Sequence, residues 1–260
     1  PDAGLDTTSI KTTAVRKGDR YVINGTKVWT SLGQEATKYM IIARTTPKAE
    51  SRKPTDGLTL FFTDFNRRHM EAHEIHKMGR AAVDSNTVFI DNLEVPVEDR
   101  IGEEGKGFYY LLDGLNPERI LIAAGAIGLG RAALQRAGAY AKDRVVFGRP
   151  IGKNQAIQHP LAHSHMELEA ANLMVFRAAS LYDRGKRCGA EANAAKYLGA
   201  EAAFRACETA VMTHGGFGYA KEFHVERYLR EVMIARLAPV SRELILCHIA
   251  EKELGLPKSY

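Results

Sequence analysis

At 260 residues, 45% apolar and 26% charged, the chain has the composition of an ordinary globular protein with one large domain or two modest ones, which excludes collagen-like, disulfide-scaffold and disordered architectures. Thirty-six Lys and Arg against 31 Asp and Glu leave a net charge of +5. The basic residues sit beside acids, as in Lys142-Asp143-Arg144 and Arg230-Glu231, rather than in a stripe of one sign, so no nucleic-acid surface is expected.

The chain opens at Pro1 with no initiator Met and no signal-peptide pattern, which reads as a piece cut from something longer. Up to about residue 100, turn signals recur at short intervals and apolar residues tend to alternate with polar ones, the period of strands. Strands are predicted at Ser9–Val15, in the run from Tyr21 to Trp29, at Lys38–Thr45, Leu58–Asp64, Met70–Lys77 and Asn86–Val95. Asn24-Gly25 lies between two β-rich runs and predicts a two-residue hairpin, because both central residues of such a turn need positive φ. Pro47–Gly57 reads as a polar loop. The expected architecture of residues 1–100 is a small antiparallel barrel or sandwich.

Beyond Val95-Pro96-Val97 the period changes to that of helices, which gives an α+β chain whose second domain, residues 101–260, is an antiparallel four-helix bundle. Helices are predicted at Phe108–Leu115, Pro117–Val145, Asn154–Arg184, Ala190–His214, Phe223–Leu237 and Ser241–Glu253. Breaks are expected at Asn116-Pro117, at Phe147-Gly148-Arg149-Pro150, at Asp183-Arg184-Gly185 and at His214–Gly218. The longest uncharged apolar run, Ile120 to Leu129, is well short of the roughly 20 residues that cross a bilayer, so no membrane insertion is expected. Cys188, Cys207 and Cys247 have no CxxC spacing and suggest neither a disulfide frame nor a thiolate metal site.

Several residues invite a chemical reading. Glu118 follows Asn116-Pro117, an N-cap and first-turn pattern. It either complements the helix dipole, worth about 0.3–1 kcal/mol, or serves as a base, if burial in an apolar pocket raises its pKa toward a useful range. Gly125, Gly128 and Gly130 imitate a dinucleotide fingerprint but lie inside a helix, where close packing explains them better. His214-Gly215-Gly216-Phe217-Gly218 gathers glycines where backbone could approach a ligand, or forms a plain cap and turn. His159, His163 and His165 with Glu167 lack the placement of a zinc-protease helix and read as a solvated face, so no metal site is expected. Gly-Xaa-Ser-Xaa-Gly is absent, so a nucleophile elbow has no support.

Taken in order, several segments resemble the acyl-CoA dehydrogenase family of flavoenzymes, over essentially the whole chain. They are Pro1-Asp2-Ala3-Gly4-Leu5-Asp6, Asn24-Gly25-Thr26-Lys27-Val28-Trp29-Thr30-Ser31, Arg144–Ile151 with Gln155, His214–Tyr219 and Arg230-Glu231. The resemblance implies a subunit of three domains, of which this chain supplies the middle β-domain and the C-terminal helical domain but not the N-terminal helical one. It implies FAD lying between β-domain and helices, with an acyl-CoA thioester between the flavin and a catalytic glutamate.

Many members carry that base on a late Glu-Gly-Thr motif, matched here by Pro239-Val240-Ser241, and proline cannot take a proton. The isovaleryl- and long-chain-acyl-CoA dehydrogenase branch carries it in a Glu-Arg-Leu context, which Glu118-Arg119-Ile120-Leu121 matches. By the same resemblance Trp29 and Ser31 face the flavin ring, and Arg144, Phe147 and Gln155 reach the FAD of a neighbouring subunit in a homo-oligomer, usually a tetramer. Met212, Gly215 and Gly216 match a stretch along the cofactor's pyrophosphate and adenosine, as do Ser241 and Glu243, while Asn116 and Arg119 lie along the CoA moiety. Leu5 and Met212 replace a usual Ser and Gln, and Glu231 a usual Asp.

The implied reaction forms trans-2-enoyl-CoA and passes electrons to an electron-transferring flavoprotein, in bacterial cytoplasm or, for a eukaryote, the mitochondrial matrix. An acyl-CoA oxidase or flavin monooxygenase of the same fold, or a non-catalytic flavin- or CoA-binding subunit, are the alternatives.

Overall fold

In the computed structural model, which describes residues 1–259, strand alternation organises the first of two units, Pro1–Gly114 and Leu115–Tyr260. The strands are β1 (Thr13–Lys17), β2 (Arg20–Ser31), β3 (Lys38–Arg44), β4 (Leu58–Asp64), β5 (Met70–Glu74), β6 (Ser85–Pro96) and β7 (Arg100–Ile101). They form one sheet in the order β5-β6-β2-β1-β3-β4-β7. Every pairing is antiparallel except β1 with β3, which is parallel and joins Thr13 to Arg44.

The core follows the period of two: Tyr21 and Ile23, Ile41 and Ala43, and Val88 and Ile90 are all buried. On β6 the inward set then changes parity to Leu93 and Val95. The cause is a register shift in the β2–β6 ladder, where Ile23 faces Leu93 but Gly25 already faces Ile90, and Asn92 takes φ 48°.

That shift corrects the hairpin expected at Asn24-Gly25. The pair lies inside β2, which runs through it without turning, and the two-residue turn is Gly18-Asp19, with Lys17 paired to Arg20 and Gly18 at φ 62°. Gly25 is needed for close approach: a Cβ there would lie 2.6 Å from Thr12 Oγ1 and 2.8 Å from Thr12 Cα. The first strand begins later than expected, at Thr13, after a short 3₁₀ turn at Thr7–Ser9.

The second unit contains most of α1 (Gly107–Asp143), then α2 (Gln155–Asp183), α3 (Gly189–His214), α4 (Val225–Val232), α5 (Ile234–Leu237) and α6 (Arg242–Lys252). The break expected at Asn116-Pro117 does not occur. Pro117 lies within α1, where its missing N–H forfeits one hydrogen bond to the Asp113 carbonyl while the helix continues through it. Asn116 is therefore no N-cap, and Glu118 stands in the fourth turn, beyond reach of the helix-end dipole. The predicted helix Phe223–Leu237 is two, α4 and α5, parted at Met233.

By length and composition alone α1 could span a bilayer. Its apolar stripe, Ile120, Ala123, Ala126, Ile127, Ala133 and Ala137, is instead packed with Leu168 and Ala171 of α2 and with Ala195, Ala203, Ala206 and Ala210 of α3. Small residues bring these backbones close. A Cβ on Gly130 would meet Leu168 Cδ2 at 2.9 Å and Ala203 Cα at 3.1 Å, whereas Gly125 and Gly128 face open space and owe nothing to packing.

Candidate active site

In the β unit, Trp29 and Ser31 stand at the end of β2. Lys27 faces Val88 and Thr30 faces Asn86, so Val28 and Trp29 together oppose the single residue Thr87. At this bulge Trp29 takes φ 62° and is 63% exposed. A bulky residue in the left-handed region is uncommon and persists only where its surroundings impose it.

The floor is Asn86, fully buried, whose Nδ2 donates to the Thr30 carbonyl at 3.1 Å and whose Oδ1 accepts from Gln34 Nε2 at 2.7 Å. Gly33 makes room for it, since a Cβ there would come within 2.7 Å of Asn86 Nδ2. Neither Asn86 nor Gln34 carries a sequence signal for this role, because their partners come from distant strands. Ser31 is exposed and pairs with Ser85.

In the helical unit, α1 separates Glu118 from its neighbours by phase. Arg119 is half-buried and donates from Nη1 to Asn116 Oδ1 at 3.0 Å, while the Glu118 carboxylate is exposed. The Nε of Arg119 is buried without a hydrogen-bond partner, and desolvation lowers the guanidinium's pKa against the opposing pull of Glu118. The same Arg119 charge helps burial to depress His248.

Lys196 of α3, only 1% exposed, donates from Nζ to the Val240 carbonyl at 2.7 Å, and burial pushes its ammonium down to about 8. It thereby fastens the segment of Pro239, Val240 and Ser241. Ser241 is occupied as the N-cap of α6, accepting from Leu244 N at 3.3 Å, and Glu243 is exposed in the first turn beside Arg242.

The helix break expected at Phe147–Pro150 is a two-residue hairpin. Strands β8 (Val145–Val146) and β9 (Arg149–Pro150) pair across Phe147 and Gly148, which take φ 53° and 74°. Phe147 is fully exposed at its tip, and Gln155 is exposed at the start of α2. The Arg144 guanidinium lies 5.6 Å from the centre of the Phe217 ring, which brings this segment against the glycine cluster.

His214 is buried there, stacked on Tyr140 at 4.2 Å and donating from Nδ1 to the Ala210 carbonyl at 2.7 Å. Gly215 adopts φ 59° and ψ −133°, a conformation for glycine, and a Cβ on Gly215 or Gly216 would meet nothing within 4 Å. These two glycines and Met212, 73% exposed, therefore present open surface. Among the described residues no three His, Cys, Asp or Glu side chains converge as metal ligands, and His163 pairs with Glu167 at 3.6 Å.

Residues 1–93 match the middle domain of acyl-CoA dehydrogenases, and residues 105–253 match their C-terminal domain. The chain belongs to the acyl-CoA dehydrogenase family. It is 40% identical to acyl-CoA dehydrogenase fadE12 of Mycobacterium bovis over 265 residues, covering 100% of this chain and 67% of that protein. It is 36% identical to the caffeyl-CoA reductase-Etf complex subunit CarC of Acetobacterium woodii, over 90% of this chain and 61% of that one. The solved butyryl-CoA dehydrogenase of Megasphaera elsdenii superposes with a TM-score of 0.93 at 33% identity, covering 98% of this chain and 66% of that one. The chain thus spans about two thirds of the length of such relatives.

The family is one of oxidoreductases with FAD as cofactor. The side chains suit such a group. An exposed indole held at a bulge offers a face to a flat ring, and the open glycine backbone at Gly215-Gly216 leaves room for close approach by a phosphate chain.

Proposed function

We propose that the chain provides the FAD- and acyl-CoA-binding portion of an acyl-CoA dehydrogenase that forms trans-2-enoyl-CoA, with Glu118 as the base and an electron-transferring flavoprotein as electron acceptor. The observation that carries this reading is a pairing in the sequence: Pro239 stands where many family members place their glutamate, and Glu118-Arg119 stands where another branch places it.

Glu118 takes the α-proton on a carboxylate oxygen, and the thioester carbonyl, once polarised by hydrogen bonds, makes that proton acidic enough to move. The helical unit by itself leaves this carboxylate in water, and bound acyl-CoA and cofactor would exclude water around it. Bound FAD supplies the hydride acceptor. Asn116 orients Arg119 along the CoA moiety, and Lys196 keeps the Pro239–Ser241 segment in place. Trp29 and Ser31 hold the flavin ring. Arg144, Phe147 and Gln155 serve the cofactor of a neighbouring copy in a homo-oligomer, a reading supported by the complete exposure of Phe147. The flavoprotein partner is supported by the A. woodii relative, which is named as part of a complex with Etf.

The test is E118Q in the full-length flavoprotein, mixed anaerobically with a panel of acyl-CoA thioesters. The variant is expected to keep its bound flavin while flavin bleaching slows by about 10²–10⁴-fold, the usual contribution of a general base. Bleaching at the unaltered rate rules Glu118 out.

A further inference from the structure

Strand β1 separates β2 from β3, but its pairing with both ends at Thr13, which faces Asn24 on one side and Arg44 on the other. Past that point, among the described residues, no strand lies between β2 and β3, and two side-chain bonds join them. Lys27 Nζ donates to the Ile42 carbonyl at 2.6 Å, and the hydroxyls of Thr30 and Tyr39 share a hydrogen bond of 2.9 Å. Both ties run antiparallel, and both bracket the bulge at Val28 and Trp29.

Removing the bulge would slip the register of β2 against β6 by one residue. That slip would rotate every following side chain to the other face, Trp29 among them.

We propose that Lys27 is a positioning residue whose ammonium, acting with the Thr30–Tyr39 bond, clamps the β2 bulge to β3 and so holds Trp29 in its left-handed conformation with the indole presented for a flat ligand. The inference rests on the reading that Trp29 faces the flavin. Lysine suits the task because its long stem crosses the width of an absent strand and delivers a donor to a carbonyl that no ladder partner serves. The half-buried position of the stem and the depression of the ammonium to about 8 by burial agree with a side chain folded into the sheet. Among the described residues the exposed indole takes part in no hydrogen bond or ring contact.

The experiment compares the full-length protein with K27M, K27R and T30V, each made with and without W29F. Subtracting the W29F background isolates the near-ultraviolet circular dichroism and fluorescence anisotropy of Trp29. The expected result is loss of most of the Trp29 dichroic band and anisotropy in K27M, a smaller loss in T30V and partial recovery in K27R. The FAD dissociation constant of K27M is expected to rise about tenfold, as when a binding-competent conformer falls to a tenth of the population. Should K27M not fold, T30V alone carries the comparison. An unchanged Trp29 signal in folded K27M, or in T30V where only that variant folds, overturns the proposal. The underlying reading fails separately, if W29F leaves the bound flavin's spectrum and affinity unaltered while K27M still disorders the indole.

Discussion

Asn24-Gly25 in the β unit and Asn116-Pro117 in the helical unit carry the same kind of signal, a residue pair that ordinarily ends an element, and in both places the element runs on. What differs is how the exception is absorbed. In β2 it is taken up by register: the ladder shifts beside Gly25 and again at Trp29, and each shift changes which face a side chain occupies. In α1 it is taken up by one forfeited hydrogen bond, and the helical phase is kept, so Arg119 and Ile120 stay inward and Glu118 outward. A sheet can thus re-aim a side chain by a local defect, whereas a long helix places its side chains by regularity. Trp29 is placed in the first way and Glu118 in the second.

G25A tests whether β2 absorbs its exception by register. An added Cβ would stand within 3 Å of three Thr12 atoms at a φ of 149°, and Thr12 backbone cannot yield as a flexible side-chain tip would. Overpacking and backbone strain together predict a loss of about 3 kcal/mol or more in urea denaturation. A glycine at an exposed hairpin tip would lose only about 1 kcal/mol. A value near the lower figure would mean that the strand turns at Asn24-Gly25 after all.

A smaller effect concerns a different exception in the helical unit, the buried ammonium of Lys196. Burial lowers it from 10.5 to about 8, so between those two pH values the unfolded chain binds more protons than the folded one. Stability contributed by this site therefore rises with pH across that window: the desolvation penalty is present in full below about pH 8 and is relieved toward pH 10.5. A shift of that size corresponds to roughly 3 kcal/mol as an upper bound. Measured against K196M, which has no proton to lose, the wild type is expected to gain stability between pH 8 and 10.5 by something approaching this bound. Parallel pH curves for the two proteins would show that burial does not depress the Lys196 ammonium, which then stays charged in the fold across this window.

Legibility in the sequence followed the same division. Strand β4 was readable to the residue, because clear turn signals flank Leu58–Asp64, and α2, α3 and α6 lie within two residues of their expected bounds, because helix-stopping residues mark where their helical period ends. The β8–β9 hairpin was not, since its strands have two residues each and Phe147 at positive φ is no turn signal. Trp29 and Glu118 could be singled out by motif resemblance. Their supports could not: Lys27 bonds a residue 15 positions away, Asn86 one 56 away and Lys196 one 44 away, and local pattern is silent about bonds of that reach.

The mildest effect is expected at Pro117. Proline inside a helix ordinarily costs about 3 kcal/mol against alanine, but α1 is held just beyond it by tertiary packing, with Ile120 and Ala123 buried in the bundle. Part of the distortion is therefore fixed by the neighbours and will not relax on substitution. P117A is expected to stabilise the protein by about 1–2 kcal/mol through the restored N–H to the Asp113 carbonyl, a gain smaller than the full proline penalty. Thermal unfolding of P117A reads this directly. A decrease in Tm would show that the helix needs the proline geometry at this turn, and then the direction of Glu118 would depend on a local defect, as that of Trp29 does.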